Sequence, residues 1–394
     1  MREGKRVKDD GAETVWTRRR VLGTGAALLA GLAVGAGSAS AKSAPASGKS
    51  AASGGGKSPD DEALRAAIRA DLLKLVSARA LAVDDPWVLM HAVLALGREA
   101  KHGNETILDF VSKTWLESVT SGDKQWPAFP RNKEAHPNHF LEIMYATGVP
   151  PEQPFPSRSG PVTRTDLTRA AKALFSPAME GDELSWTVSV FTADMKPDAD
   201  KFTNADGRPF TVSAVVEAAT QAAEAGYAET LAAMRGTKPY DRSAVQGYAC
   251  NGTHVIYGVL DALRNGYRGN RLTERGTLLM QAALFRLGPE VELIDRVIGA
   301  GGAPTAQLNA DAAKLQFLGH SIENLTFARR HGLYTPTPAE LEAAHRAEEQ
   351  LATIAHRLVA TYDLDELAHQ VPRAYGLILG DACHALHAVE RDAA

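Results

Sequence analysis

Five histidines stand at matching places in the chain, each opening an apolar stripe at helical spacing. They begin the runs at His91 (HAVLAL), His139 (HFLEIM), His254 (HVIYGVL), His320 (HSIENL) and His384 (HALHAV), and Trp186 (WTVSVF) holds the equivalent place in a sixth. The whole chain has 12 histidines, so five in one register concentrate the side chain best suited to proton transfer near neutral pH and to metal ligation. Residues three positions on share the same helical face. They are Leu94, Glu142, Ser189, Tyr257, Glu323 and His387. A purely packed core would put Leu, Val or Ala at most of these places, whereas Glu142, Tyr257, Glu323 and His387 can donate, accept or ligate. The pattern predicts a central polar pocket lined by His91, His139, Glu142, Trp186, Asn251, His320, Glu323, His384 and His387.

Two chemistries suit such a pocket. In the first, His254 and Tyr257 act as an acid/base pair on a carbohydrate or similar polyhydroxylated ligand, with the Trp186 indole as a platform for a sugar face. In the second, His320 with Glu323, or Cys383 with His384 and His387, converge on a divalent metal such as zinc and leave a position open. The two cysteines, Cys250 and Cys383, leave a disulfide as the alternative in an oxidising compartment. A third reading is a non-catalytic binding or scaffold module in which the ring is polar packing.

The anchors recur at spacings of 48, 47, 68, 66 and 64 residues, which leaves room for one further helix between successive copies. Each repeat therefore reads as a helix pair, and a single pair cannot bury its apolar face alone. With no sustained alternation of β-branched residues, the fold class is all-α. Asn104 is expected to cap a helix over 105–119, and residues 148–162, with five prolines, form a loop. Asp198, Asp200, Asn204 and Asp206 lie in an acidic loop whose oxygens would suit calcium. Their spacing is not that of an EF-hand, and such residues are common in turns.

The N-terminal segment reads as an export leader. Thr17-Arg18-Arg19-Arg20-Val21-Leu22 resembles the twin-arginine translocation signal, followed by a weakly hydrophobic Gly/Ala-rich run and an Ala39-x-Ala41 cleavage site. The domains expected are a leader over 1–41, a Gly/Ser/Ala linker over 42–60 and a single all-α domain over 61–394. The leader implies export machinery as a partner, a periplasmic or extracellular location, and no stable membrane span after cleavage. Without the leader the chain carries a formal charge of about −7 and no basic stripe, so nucleic acid is not an expected partner. The GGGKS stretch at 54–58 is no P-loop, because Ala51 stands where the first glycine belongs.

Six helix pairs in this order resemble the (α/α)6 toroid shared by glycan hydrolases, polysaccharide lyases, sugar epimerases and terpenoid or lanthionine cyclases. The resemblance rests on repeat count and helix order across residues 60–392 and implies a closed barrel with a central cavity. Polysaccharide lyases on that scaffold use Asn, His, Tyr and Arg. Asn251, His254 and Tyr257, with Arg264, Arg268 or Arg373, supply those types. Lanthionine cyclases bind zinc through one Cys and an adjacent Cys-His pair, types that Cys250 and Cys383-His384 supply. The sequence-based expectation is an exported protein with a histidine-lined pocket for a small-molecule or glycan ligand.

Overall fold

The computed structural model describes residues 59–179, 181, 183–298 and 304–390, so the leader and the linker up to residue 58 lie outside the described residues, while residues 59 and 60, expected as linker, already belong to the first helix. It is mostly helical. Twelve principal helices form six successive pairs: α1 (Pro59–Arg79) with α2 (Pro86–Leu96), α3 (Ile107–Trp115) with α4 (His139–Ala146), and α5 (Arg164–Ala173) with α6 (Leu184–Asp194). The second half continues with α7 (Val212–Met234) and α8 (Thr253–Arg264), α9 (Leu272–Val297) and α10 (Pro304–Arg330), then α11 (Pro338–Ala360) and α12 (Pro372–Glu390).

Composition separates the two helices of each pair. The sequence of α2, PWVLMHAVLAL, is apolar on every side, and nine of its residues are buried; a helix of that kind belongs in an interior. The eleven residues Thr253 to Leu263 of α8 are likewise all buried. By contrast α1, α7 and α11 alternate buried and exposed faces in the manner of amphipathic helices. Each inner helix packs against the next in chain order, and α12 packs against both α10 and α2. Local signals fix where the helices start. Asp85 accepts from the backbone N–H groups of Trp87 and Val88, with Pro86 at the first helical position of α2. Capping boxes at Thr163/Asp166 and Thr337/Glu340 open α5 and α11.

Missing Cβ atoms let the inner helices approach closely. A Cβ at Gly258 in α8 would lie 2.9 Å from both Cα and the carbonyl oxygen of Ser185 in α6. One at Gly319 in α10 would lie 3.1 Å from Cβ of Ala385 in α12.

The all-α expectation holds for this mostly helical chain, and among the described residues the connections add four short two-stranded antiparallel hairpins. These are β1 (Lys101–His102) with β2 (Glu105–Thr106), β3 (Glu117–Ser121) with β4 (Lys124–Ala128), β5 (Pro154–Phe155) with β6 (Val162–Thr163), and β7 (Lys201–Thr203) with β8 (Pro209–Thr211). Asn104 does not cap a helix. It lies in the turn of the first hairpin, and Thr106 caps α3 by accepting from Asp109 N–H. Residues 117–119, expected as the end of that helix, belong instead to the strand Glu117–Ser121, which pairs through Val119 opposite Trp126, around Gly122 at φ 65°. The acidic loop is a hairpin in which Asn204 Oδ1 accepts from the N–H groups of Asp206 and Arg208. Asp200 accepts from Ser213 N–H at the start of α7, so both residues serve turns and caps. Among the described residues no helix is long and apolar enough to cross a membrane.

Candidate metal centre

The inner helices bring the six anchor side chains together. Ring-centre distances run 4.8 Å from His91 to His139, 5.5 Å from His139 to Trp186, and 4.8 Å from Trp186 to His254. They continue at 4.6 Å from His254 to His320 and 3.9 Å from His320 to His384, and His384 returns to His91 at 4.9 Å. None of the six is more than 9% exposed. Imidazoles at this density are an unusual core, because each ring brings two polar nitrogens into a place where an unpartnered polar atom costs about 1–3 kcal/mol.

Several nitrogens have protein partners. His91 Nδ1 bonds the Trp87 carbonyl at 2.6 Å. The Glu323 carboxylate holds two histidines of α12, His384 Nδ1 at 2.8 Å on Oε2 and His387 Nδ1 at 2.5 Å on Oε1. His320 stands between two carboxylates, with Nδ1 3.6 Å from Glu323 Oε2 and Nε2 3.5 Å from Asp381 Oδ1. Of the remaining nitrogens, His384 Nε2 has no hydrogen-bond partner among the described residues.

The electrostatics divide the ring. Burial is the largest influence on His91, His139, His254 and His384, and together with the neighbouring imidazoles it holds all four below the ordinary histidine value. Burial also disfavours charge on His320, but Cys250, Asp381 and Glu323 outweigh it and raise this residue well above the ordinary value. Burial likewise opposes ionisation of Glu323, and the surrounding His384, His320 and His387 overcome it and hold the carboxyl well below its usual range. Neutral His384 and ionised Glu323 are the protonation states that a metal requires of its ligands, whereas His320 would have to lose the proton its neighbours favour before ligating one.

Two sets of donors meet metal-ligand spacing. His320, Glu323 and His384 each offer an atom within 4.8 Å of the others, and all three are buried. Cys250, His254 and His320 form a second set on the same criterion. Cys383 joins neither. It is fully buried in the apolar core, and burial pushes its thiol up, away from the thiolate a metal needs. Both cysteines are free, so the disulfide alternative does not hold.

Beside the first set lies a small cavity of about 10 Å³, bounded by His254, Tyr257, Glu323, His384, Glu142 and Trp186. That is roughly the space of one water molecule. Residues three positions after the anchors do reach it, Leu94, Glu142, Ser189, Tyr257 and Glu323 among them. The face of Trp186 is already stacked on His136, at 4.1 Å and 10°. Asn251 is turned aside into hydrogen bonds with Gln316 and Arg242. The three arginines considered for acidic groups do not line the cavity. Arg264 lies beside Asp261 and over the Phe327 ring, Arg268 bonds the carbonyls of Leu263 and Tyr267, and Arg373 is exposed.

Spacing in the sequence did not point to His136, Gln316 or Asp381 as neighbours of the site. A signal for Asp381 existed, since it stands three residues before His384 on the same helical face. No family model matches the chain, and neither a curated protein nor a solved structure matches it.

Proposed function

We propose that this protein binds a divalent transition metal at His320, Glu323 and His384. The observation that carries the reading is the convergence of these three buried side chains from α10 and α12 within one ion's reach. Zinc bonds nitrogen and oxygen at about 2.0–2.2 Å, and three protein ligands leave a fourth position open. The water-sized cavity beside Glu323 and His384 suits that fourth ligand. His387 completes the arrangement from behind, orienting the carboxylate as outer-shell partners of metal ligands do. A carbohydrate ligand fits less well, because a pyranose does not enter about 10 Å³ and the Trp186 platform is already covered by His136.

The reading extends to the whole chain. The six helix pairs are a closed (α/α)6 toroid with the histidine cluster on its axis. Residues 1–41 are a twin-arginine leader that exports the protein already folded, which lets the metal load before export. The bound ion would polarise a water or a small ligand in the open position.

The test is elemental analysis of the mature chain, purified after native export and without chelator. About one or more equivalents of zinc, iron, copper or manganese is expected, with one equivalent lost in His384→Ala while helical circular dichroism is retained. A wild-type protein that is metal-free after export, and takes up none of these ions in equilibrium dialysis, would sink the proposal.

A further inference from the structure

The second donor set, Cys250, His254 and His320, meets the first only at His320. The five atoms do not form a single set within the same 4.8 Å limit, so one ion does not reach them all. An ion with bonds of about 2.0–2.3 Å needs its ligands no more than roughly 4.6 Å apart. Each set satisfies that with small adjustments, and the two together do not. The geometry of His320 removes the conflict. Its Nδ1 lies 3.6 Å from Glu323 Oε2 and its Nε2, at the opposite edge of the ring, 3.5 Å from Asp381 Oδ1, so the ring offers one nitrogen to each side.

We infer that His320 is shared by two metal ions, one held with Glu323 and His384 and a second held with Cys250 and His254. This rests on the metal-binding reading above and adds a second ion and a thiolate to it. A doubly ligating imidazole has lost its N–H proton, and the ligating thiol has lost its own. Loading the second ion therefore releases protons to solvent and forms a nitrogen–metal and a sulfur–metal bond without redox change.

The backbone around Cys250 is built for a fixed thiol. Cys250 at φ 48°, Asn251 at φ 54° and Gly252 at φ 78° are three consecutive left-handed residues, two of them with a Cβ. Such strain persists only where the surroundings over-determine it. Here the fully buried Arg286 donates to the Asn251 carbonyl at 2.8 Å, and the Asn251 side chain donates to Gln316 Oε1 at 2.9 Å. Gln316 reaches on to Asp381 Oδ2 at 3.4 Å, and Asp381 faces His320. One chain of hydrogen bonds thus sets both the cysteine turn and the shared histidine. Cys250 is half-buried while His320, Glu323 and His384 are buried, so the thiolate site is the more exposed of the two.

The experiment strips the mature full-length chain with chelator and titrates it with cobalt(II), which reports thiolate ligation by a sulfur-to-metal charge-transfer band in the near ultraviolet. Two equivalents per chain with that band are expected. Cys250→Ser should drop the stoichiometry from two to one and abolish the band. His384→Ala should also leave one equivalent but keep the band. His254→Ala serves as a second route to the thiolate site if Cys250→Ser does not fold, and it too should lose one equivalent. A single equivalent in the wild type, or two equivalents without a thiolate band, overturns the shared-histidine centre and leaves the Glu323 site standing. No binding at all overturns both.

Discussion

His320 on α10 and His384 on α12 stand 64 residues apart in the chain, yet their ring centres lie 3.9 Å apart. The same Glu323 carboxylate oxygen lies 2.8 Å from His384 Nδ1 and 3.6 Å from His320 Nδ1. This contact needs a close helix approach to be tolerated at Gly319, the residue before His320, whose absent side chain leaves room for Ala385, the residue after His384. The packing of α10 on α12 and the geometry of the candidate ligands are therefore one feature.

His387 gives a way to separate a ligand from its support. Its Nδ1 bonds Glu323 Oε1 at 2.5 Å, and it belongs to neither donor set. His387→Ala is expected to weaken metal binding about 10- to 100-fold without abolishing it. Competition against a chelator of known affinity measures this, and an unchanged affinity would remove His387 from the centre.

Helix spacing is tested at Gly258. A methyl group there meets the Ser185 backbone at 2.9 Å, and neither backbone can swing aside as a long side chain would. Gly258→Ala should cost about 1–3 kcal/mol and shift the denaturation midpoint down with little change in slope. A stability equal to wild type would show that α6 and α8 are not held at this separation.

The buried arginine is expected to be the most sensitive single position. Arg286 is 0% exposed and donates to Tyr227 Oη at 2.9 Å, while Glu290, equally buried, keeps Arg242 at 3.0 Å. Arg286→Met leaves the Asn251 carbonyl and Tyr227 hydroxyl without this donor and weakens the pairing of Glu290. The loss should be about 3–5 kcal/mol, read by urea denaturation, and the Cys250 thiol should react faster with a thiol reagent as its turn relaxes.

The pH dependence has a specific contributor away from the ligands. Burial raises Glu134 to about 8, although it accepts Phe140 N–H at 2.9 Å. Between the unfolded value of roughly 4.3 and about 8, the folded chain keeps this proton and the unfolded chain does not. Stability from this group is therefore greatest at low pH and falls as pH rises through that window, by up to about 1.4 kcal/mol per unit. Glu134→Gln should match wild type near pH 4 and exceed it increasingly toward pH 8. A wild-type-like profile across the range would contradict the raised value.

The register of the site was legible in the chain. An anchor on each inner helix with a second residue three positions on is a local relationship, fixed by 3.6 residues per turn, although His91, His320 and His384 lie inside their helices and not at the starts. The apolar inner sequences and the amphipathic outer ones are visible for the same reason. The hairpins were less legible because strands of two to five residues are too short to show alternation, and turn glycines such as Gly122 looked like ordinary loop residues.

What the sequence by itself determined, then, is which residues each inner helix presents to the centre, because helical periodicity is a property of adjacent residues. Tertiary structure alone decided which of them meet across the centre. It separated Cys250 from Cys383, placed Asp381 and Gln316 behind His320, and brought Arg286 to the carbonyl of Asn251, 35 residues away. Those contacts depend on how far apart the helices pack and how they are rotated, and these are set by side-chain volumes on several elements at once, down to the single missing methyl at Gly319.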